Sequence, residues 1–345
     1  MDIQQLLGFA RENNASDLHI AAGSSPMVRI DGTVQKLNLD PLDDQHARDI
    51  IFAILDDEHK ALLEKNHEID FSAQLTPRNR YRINVFDQLR GIAAVFRVIP
   101  EEIPAFEDLG LPETLKGLAM RDRGLILVTG PTGCGKSTTL ASVIDYLNEN
   151  TQQHIISIED PVEYIHANKR CLINQREVGQ HTHSFRAALR VAVREDPDVI
   201  MVGEMRDLDT ISLALTAAET GHLVFSTLHT SGAVKTIDRI LDIFPAESKS
   251  QIRAMLAESL LAVVSQRLMP NKNGAGRSMA LEILVANQAV RNLIREEKVY
   301  QIPNVIQSSS VDGMVALDAS LADLVQKGKI SREDARKAAF EPAKL

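Results

Sequence analysis

The chain has 345 residues, 25% of them charged, a formal net charge of −9 and no tryptophan. That length admits about two domains at ~150 residues each. No apolar run approaches the ~18–20 residues of a membrane span, and the acidic balance excludes a strongly basic nucleic-acid surface as the default expectation. The two cysteines, Cys134 and Cys171, have neither zinc nor disulfide spacing, which suits a reducing, cytoplasmic compartment. The acidic, amphipathic start MDIQQLLGFARENN reads as neither a signal nor a transit peptide.

Taken in order, Ile3, Leu6, Leu7 and Ala10 share one face of a short helix over residues 3–13. Residues 18–20 and 27–30 read as strands, and Asp31-Gly32 is a hairpin turn signal. Helical periodicity follows over 43–55 and 57–65, then strand patterns over 69–75, 81–86 and 92–98. These make an α+β domain over 1–98. The stretch 99–111, IPEEIPAFEDLGL, carries two prolines and four acidic residues and reads as a linker. From 112 to 286 strands and helices alternate, with strands at 125–129, 154–158, 199–203, 223–227 and 279–284. That pattern predicts an α/β core with a mostly parallel sheet. Residues 287–345 read as a C-terminal region of three short helices.

The densest chemistry lies at 125–137, LILVTGPTGCGKS. A buried strand runs into Gly130, Pro131, Thr132, Gly133, Cys134, Gly135, Lys136, Ser137 and Thr138, which satisfy G-x-x-x-x-G-K-[ST], the phosphate-cradling P-loop. The glycines let the backbone bend so that successive N–H groups form an anion-binding nest. Lys136 places a full charge on the β- and γ-phosphates, and Ser137 offers its hydroxyl to Mg²⁺. The helix expected from Lys136 onward adds the partial positive charge of its N-terminus. ATP and Mg²⁺ are therefore the expected ligands.

Three further stretches end or turn at strands, where α/β folds place ligands. ISIEDPVEY delivers Glu159, Asp160 and Glu163 to a proline-marked turn. Such carboxylates hold Mg²⁺ through water or activate water as a base; a solvated acidic turn is the plainer reading. DPDVIMVGEMRD puts Glu204 just past a buried strand, where P-loop folds keep the acidic residue of the Mg²⁺–water cluster. TGHLVFSTLHT sets His222 and His229 seven apart around another strand. That is not a zinc spacing, and His229 is placed to sense the γ-phosphate. Arg78, Arg80, Arg82, Arg90 and Arg97 cluster late in the first domain. Arg80 and Arg82 alternate with Tyr81 and Ile83, so they leave one strand face as fingers for the γ-phosphate or as ordinary solvated charges.

Together these stretches resemble the secretion-type ATPase superfamily. In its vocabulary GPTGCGKS is Walker A, ISIEDPVEY the Asp box, the stretch ending in Gly203-Glu204 Walker B, and TGHLVFSTLHT the His box. The segment AVRNLIRE (289–296) is similar to the signature of its type IV pilus retraction branch, and two cysteines cannot supply the four-cysteine zinc insert of the assembly branch. The resemblance implies a PAS-like α+β N-terminal domain, a RecA-like P-loop core with C-terminal helices, and a ring hexamer. It further implies Glu163 and Glu204 as base and Mg²⁺-shell carboxylate, with the division between them open. Arg82 and Arg97 would be fingers, Arg80 their alternate, and Arg291, Asn292 and Arg295 a polar face coupling the ring to the pilus. The implied output is pilus disassembly at the inner face of the cytoplasmic membrane. Its partners would be a platform protein of the inner membrane and a paralogous retraction ATPase, with no nucleic acid. The alternatives are a secretion or pilus-assembly ATPase, a RecA-like nucleic-acid motor, and a nucleotide-gated scaffold.

Overall fold

A computed structural model describes residues 2–30, 32–76, 80–99, 102–274 and 276–345. Arg78, Asp31 of the hairpin signal, and Pro100 and Glu101 of the linker stretch lie outside the described residues. Contacts divide the chain into two units: Met1–Glu102 with Pro161–Ile165, and Ile103–Asp160 with His166–Leu345.

In the first unit, α1 (Ile3–Glu12) precedes β1 (Asp17–Ala21), β2 (Met27–Ile30) and β3 (Thr33–Lys36). Then come α2 (Asp44–Phe52), α3 (Asp57–Asn66), β4 (Glu68–Gln74), β5 (Arg80–Gln88) and β6 (Gly91–Ile99). Asp2, Asp43 and Asp56 each accept a first-turn backbone N–H and so start the three helices. The strands form an antiparallel sheet ordered β3-β2-β1-β6-β5-β4. On β5, Tyr81, Ile83 and Val85 are buried and alternate with Arg80, Arg82 and Asn84. The period-two expectation therefore holds, and the apolar face closes a core with Leu6, Leu7, Ile51 and Phe96.

The second unit begins within the stretch read as a linker. Phe106 and Leu111 are buried against Leu115, Val143 and Leu147, so apolar residues of that stretch belong to a core. Next come α4 (Glu113–Ala119), β7 (Gly124–Thr129), α5 (Lys136–Asn150), β8 (His154–Glu159), β9 (Leu172–Glu177) and α6 (Phe185–Ala192). They are followed by β10 (Val199–Val202), α7 (Leu208–Glu219), β11 (Leu223–Leu228), α8 (Ala233–Asp242), α9 (Lys249–Ser259), β12 (Leu260–Pro270) and β13 (Arg277–Val285). The chain closes with α10 (Gln288–Arg295), α11 (Ile302–Ser308), α12 (Leu317–Gln326) and α13 (Arg332–Ala338). Sequence periodicity gives three helices in this last region; the structure has four α-helices among the described residues.

The sheet order is β13-β12-β7-β11-β10-β8-β9, parallel except for the β12–β13 hairpin. β9 and β12 have no counterpart in the sequence reading. β9 is a largely polar edge strand, and β12 follows α9 without a break, so its apolar run is equally compatible with a continuing helix. All six residues of β7 and all six of β11 are buried, as strands covered by helices on both faces must be. β7, β11 and β10 are neighbours and run parallel, so their C-terminal ends share one edge of the sheet.

Candidate functional site: a P-loop at the sheet edge

The loop after β7 takes the shape its glycines allow. Gly130, Gly133 and Gly135 have φ of 143°, 77° and 88°. A Cβ at Gly130 would lie 2.4 Å from the Gln266 carbonyl oxygen and 2.6 Å from Cys134 Sγ, so no other residue fits there. At Gly133 nothing lies within 4 Å, which leaves the loop's outer side open. α5 starts at Lys136 with no side-chain cap at Gly135, so its first N–H groups remain available to an anion.

Lys136 is buried and folds back over the loop. Its Nζ donates to Gly130 O at 2.9 Å and Pro131 O at 3.2 Å and lies 3.5 Å from His229 Nδ1. Thr132 Oγ1 is 3.4 Å from the same nitrogen. On its other side His229 Nε2 lies 3.3 Å from Glu204 Oε2. An ammonium can only donate, so Nδ1 is the accepting nitrogen and Nε2–H donates to Glu204. The side chain just past β11 thus bridges the P-loop lysine to the carboxylate that follows β10.

Glu204 also pairs with Arg206 at 2.8 Å, and its side chain is 18% exposed. Burial works to raise its pKa, but Arg206 and His229 outweigh burial and hold the carboxyl below its usual value. Arg206 stands two positions after Glu204, inside a stretch already singled out, yet the sequence reading assigned it nothing. Ser137 is half-buried, and its hydroxyl has no hydrogen-bond partner among the described residues. No group of three or more His, Cys, Asp or Glu able to hold a metal occurs among the described residues. An open hydroxyl and one carboxylate suit Mg²⁺, which keeps waters and takes phosphate oxygens in preference to an all-protein cage. Cys134 is buried in the loop, and burial pushes its thiol pKa up, so it is a packing residue there.

Gln266, which the sequence did not reveal, fixes the loop from below. It is fully buried on β12; its Nε2 donates to Cys134 O at 2.7 Å and its Oε1 accepts from Thr139 Oγ1 at 3.0 Å. The partners stand 132 and 127 residues away in sequence, which is why no local pattern announces it.

The other expected residues are distributed. Glu159 is buried and accepts from Ser157 Oγ at 2.6 Å and Gln175 Nε2 at 3.2 Å, which makes it an internal anchor for the turn. Glu163 is exposed in the irregular segment that groups with the first unit. His222 Nδ1 meets Ala217 O at 3.0 Å, a structural bond. In the first unit, Ser72, Arg82, Arg97, Asp17 and Arg29 sit opposite one another across β4, β5, β6, β1 and β2. Arg82 makes a two-point pair with Asp70, at 3.2 and 2.6 Å. Arg97 Nε donates to the buried Asp17 at 2.8 Å, while Arg29 approaches it at 3.7 Å. Arg90 is at the β5–β6 turn, outside this row.

On α10 the three residues read as one polar face do not all stay at the surface. Val290 and Ile294 are buried and Leu293 packs partly buried beside them, as their i, i+3, i+4 spacing requires, but the Arg291 guanidinium turns inward. It donates to Ala286 O at 3.0 Å, Ala257 O at 2.5 Å and Leu260 O at 3.1 Å, and to Glu258 O. Burial lowers its pKa. The carbonyls left open at the C-terminal end of α9 need donors, and Arg291 supplies them. Asn292 and Arg295 stay exposed and bond each other at 2.5 Å.

A P-loop, a strand-end carboxylate and a bridging histidine on a mostly parallel sheet define a RecA-like P-loop ATPase core. The family description "Type II/IV secretion system protein" matches residues 1–334. The chain is 53% identical over 342 residues to the type IV pilus retraction ATPase PilT of Pseudomonas aeruginosa, covering 99% of each. It is 51% identical over 315 residues to a twitching motility protein of Neisseria gonorrhoeae, covering 91% of this chain and 84% of that one. The crystal structure of the pilus retraction motor PilT with bound ADP superposes with a TM-score of 0.93 at 47% identity, covering 100% of this chain and 99% of that one. The chain belongs to the type II/IV secretion ATPase family and, within it, to the retraction-ATPase branch.

Proposed function

We propose that this chain is the ATP-hydrolysing motor that retracts type IV pili and so powers twitching motility. The observation that carries the reading is the convergence of Lys136, His229 and Glu204 on one P-loop edge, in a chain matched end to end by a named retraction ATPase. Lys136 exchanges its two loop carbonyls for β- and γ-phosphate oxygens, and the open N-terminus of α5 and the glycine backbone bind the rest of the phosphate chain. Ser137 and Glu204 are the residues that would hold Mg²⁺; the ion when bound would supply positive charge against the phosphates. Glu204 and Glu163 are the carboxylates that would divide the tasks of holding the ion's water and polarising the attacking water. His229, donating to Glu204 and accepting from Lys136, registers whether the lysine is engaged with phosphate.

Arg82 and Arg97 act as fingers on the transferred γ-phosphate in a homohexameric ring, where they leave Asp70 and Asp17 for a stronger anion. Asn292 and Arg295, exposed on α10, face the pilus machinery, and Arg291 holds that helix in place. The ring works at the cytoplasmic face of the inner membrane against a platform protein, alongside a paralogous ATPase. Among the described residues, no helix is long and apolar enough to cross a membrane. The test is a gene deletion scored for surface pili: excess pili with lost twitching is the expected result, and bald cells would make the motor an assembly ATPase.

A further inference from the structure

Beyond His229 the second unit has a half-open cavity of about 450 Å³ between α8, α11, α12 and the chain end. That volume falls in the range of roughly 300–1,000 Å³ typical of small-molecule sites. Val234, Ile306, Leu317 and Phe340 give it largely apolar walls, and the exposed Ala319 and Ala322 lie at its solvent edge. Glu282 is the polar group built into it, 8% exposed and opposite Ser265 on the β12–β13 hairpin. Its Oε1 accepts from Ala233 N at 2.7 Å, while Ser265 Oγ accepts from Gly232 N at 2.9 Å. Together they cap α8, which has no cap of its own.

Glu282 Oε2 has no hydrogen-bond partner among the described residues, although the side chain lines the cavity. That oxygen keeps some contact with solvent, so its unused lone pairs are open to a donor entering the cavity, and a charged donor answers them best. Burial, with the nearby Asp318 charge, raises the Glu282 pKa, while the Ala233 N–H and the charge of Arg267, whose guanidinium lies 5.6 Å from the Phe340 ring centroid, offset part of that rise. Three further charged groups line the cavity. Asp318 spends both oxygens on the N–H groups of Phe340 and Glu341, at 2.8 and 2.9 Å, and Lys235 and Glu341 are exposed.

We propose that this cavity binds a small organic cation, an apolar body ending in an ammonium or amidinium group that pairs with Glu282. Its occupant bears on the segment that follows His229. A Cβ at Gly232 would lie 3.1 Å from the Phe340 ring and 3.3 Å from Glu282 Oε1, so that segment rests on two cavity walls. Thr230 is tied to Thr236 of α8 at 2.7 Å. Occupancy therefore changes ATP turnover; this part rests on the function proposed above, whereas binding itself does not.

The test is calorimetric titration of the full chain with 4-phenylbutylamine, 4-phenylbutanol and 4-phenylbutyrate. The expected result is saturable amine binding about tenfold tighter than the alcohol, the size of a charge-assisted hydrogen bond. Ala322→Phe, at an exposed position, should abolish it with thermal stability unchanged. Glu282→Gln keeps an oxygen for Ala233 N and should bring the amine down to the alcohol's affinity. No saturable amine binding, equal affinity for amine and alcohol, or undiminished binding in Ala322→Phe would overturn the site. If phosphate release is unchanged with the site saturated, the link to turnover is wrong while the site stands.

Discussion

The P-loop edge and the arginine row of the first sheet both gather charged side chains, and they are built differently. At the P-loop each charged group meets its neighbour within one unit: Lys136 to His229, and His229 to Glu204. Beside that chain Gly130 is hemmed in by Gln266 and Cys134, so no side chain fits there. In the arginine row, Arg82 and Arg97 stand side by side across strands, with Asp17 between Arg97 and Arg29, and like charges so placed cost energy unless anions answer them. Asp70 and Asp17 answer them from the same sheet. Arg97 nonetheless leaves its side chain 64% exposed and Arg82 38%. A site whose geometry closes within its own unit announces its chemistry. A row already paired at home does so only if a stronger anion draws it away.

Substitutions separate the two regions, beginning with the largest effect. Lys136→Ala removes the charge while leaving the nest, and should abolish phosphate release and weaken ATP binding, read by nucleotide titration. Arg82→Ala and Arg97→Ala should each slow turnover by roughly 10³–10⁵ if they are fingers. A change below about threefold in both would return them to a sheet-bound role, well short of that range. Arg97→Ala also takes a partner from buried Asp17, so its melting point should fall by the equivalent of about 1–3 kcal/mol.

Gln266→Leu tests whether the P-loop owes its shape to β12. It strands the Cys134 carbonyl and the Thr139 hydroxyl, at a cost of about 2 kcal/mol, and should raise KM for ATP more than it lowers kcat. An unchanged KM would mean that the glycines suffice alone. Arg291→Ala and Arg295→Ala should part company. The first opens the end of α9 and should cost ~2 kcal/mol in denaturant unfolding; the second should cost less than ~0.5 kcal/mol and appear only in motility. Equal stability of the two variants would reject the clamp.

The smallest effect is one of pH. Glu204 has a folded pKa below its unfolded value, so its contribution is complete above the ordinary carboxylate pKa of about 4.3 and disappears as pH falls through the lower folded value. Glu204→Gln should flatten stability against pH in that acid window and nowhere above it.

The sequence by itself determined the P-loop, the strand and helix around it, the acidic and histidine stretches and the family, because each is a short-range pattern. A strand followed by GPTGCGKS and a helix from Lys136 leaves one local geometry. The alternation on β5 likewise follows from a period of two. What only the tertiary structure decided are the contacts that span the chain. Gln266 reaches the loop from 132 residues away. Glu282 caps a helix 49 residues before it. Arg291, four residues from Arg295 on the same short helix, turns inward because the carbonyls at the end of α9 lacked donors. Spacing assigns a residue to a face of its own helix; whether that face meets water or another element's open carbonyls depends on what packs against it, and only the folded chain supplies that.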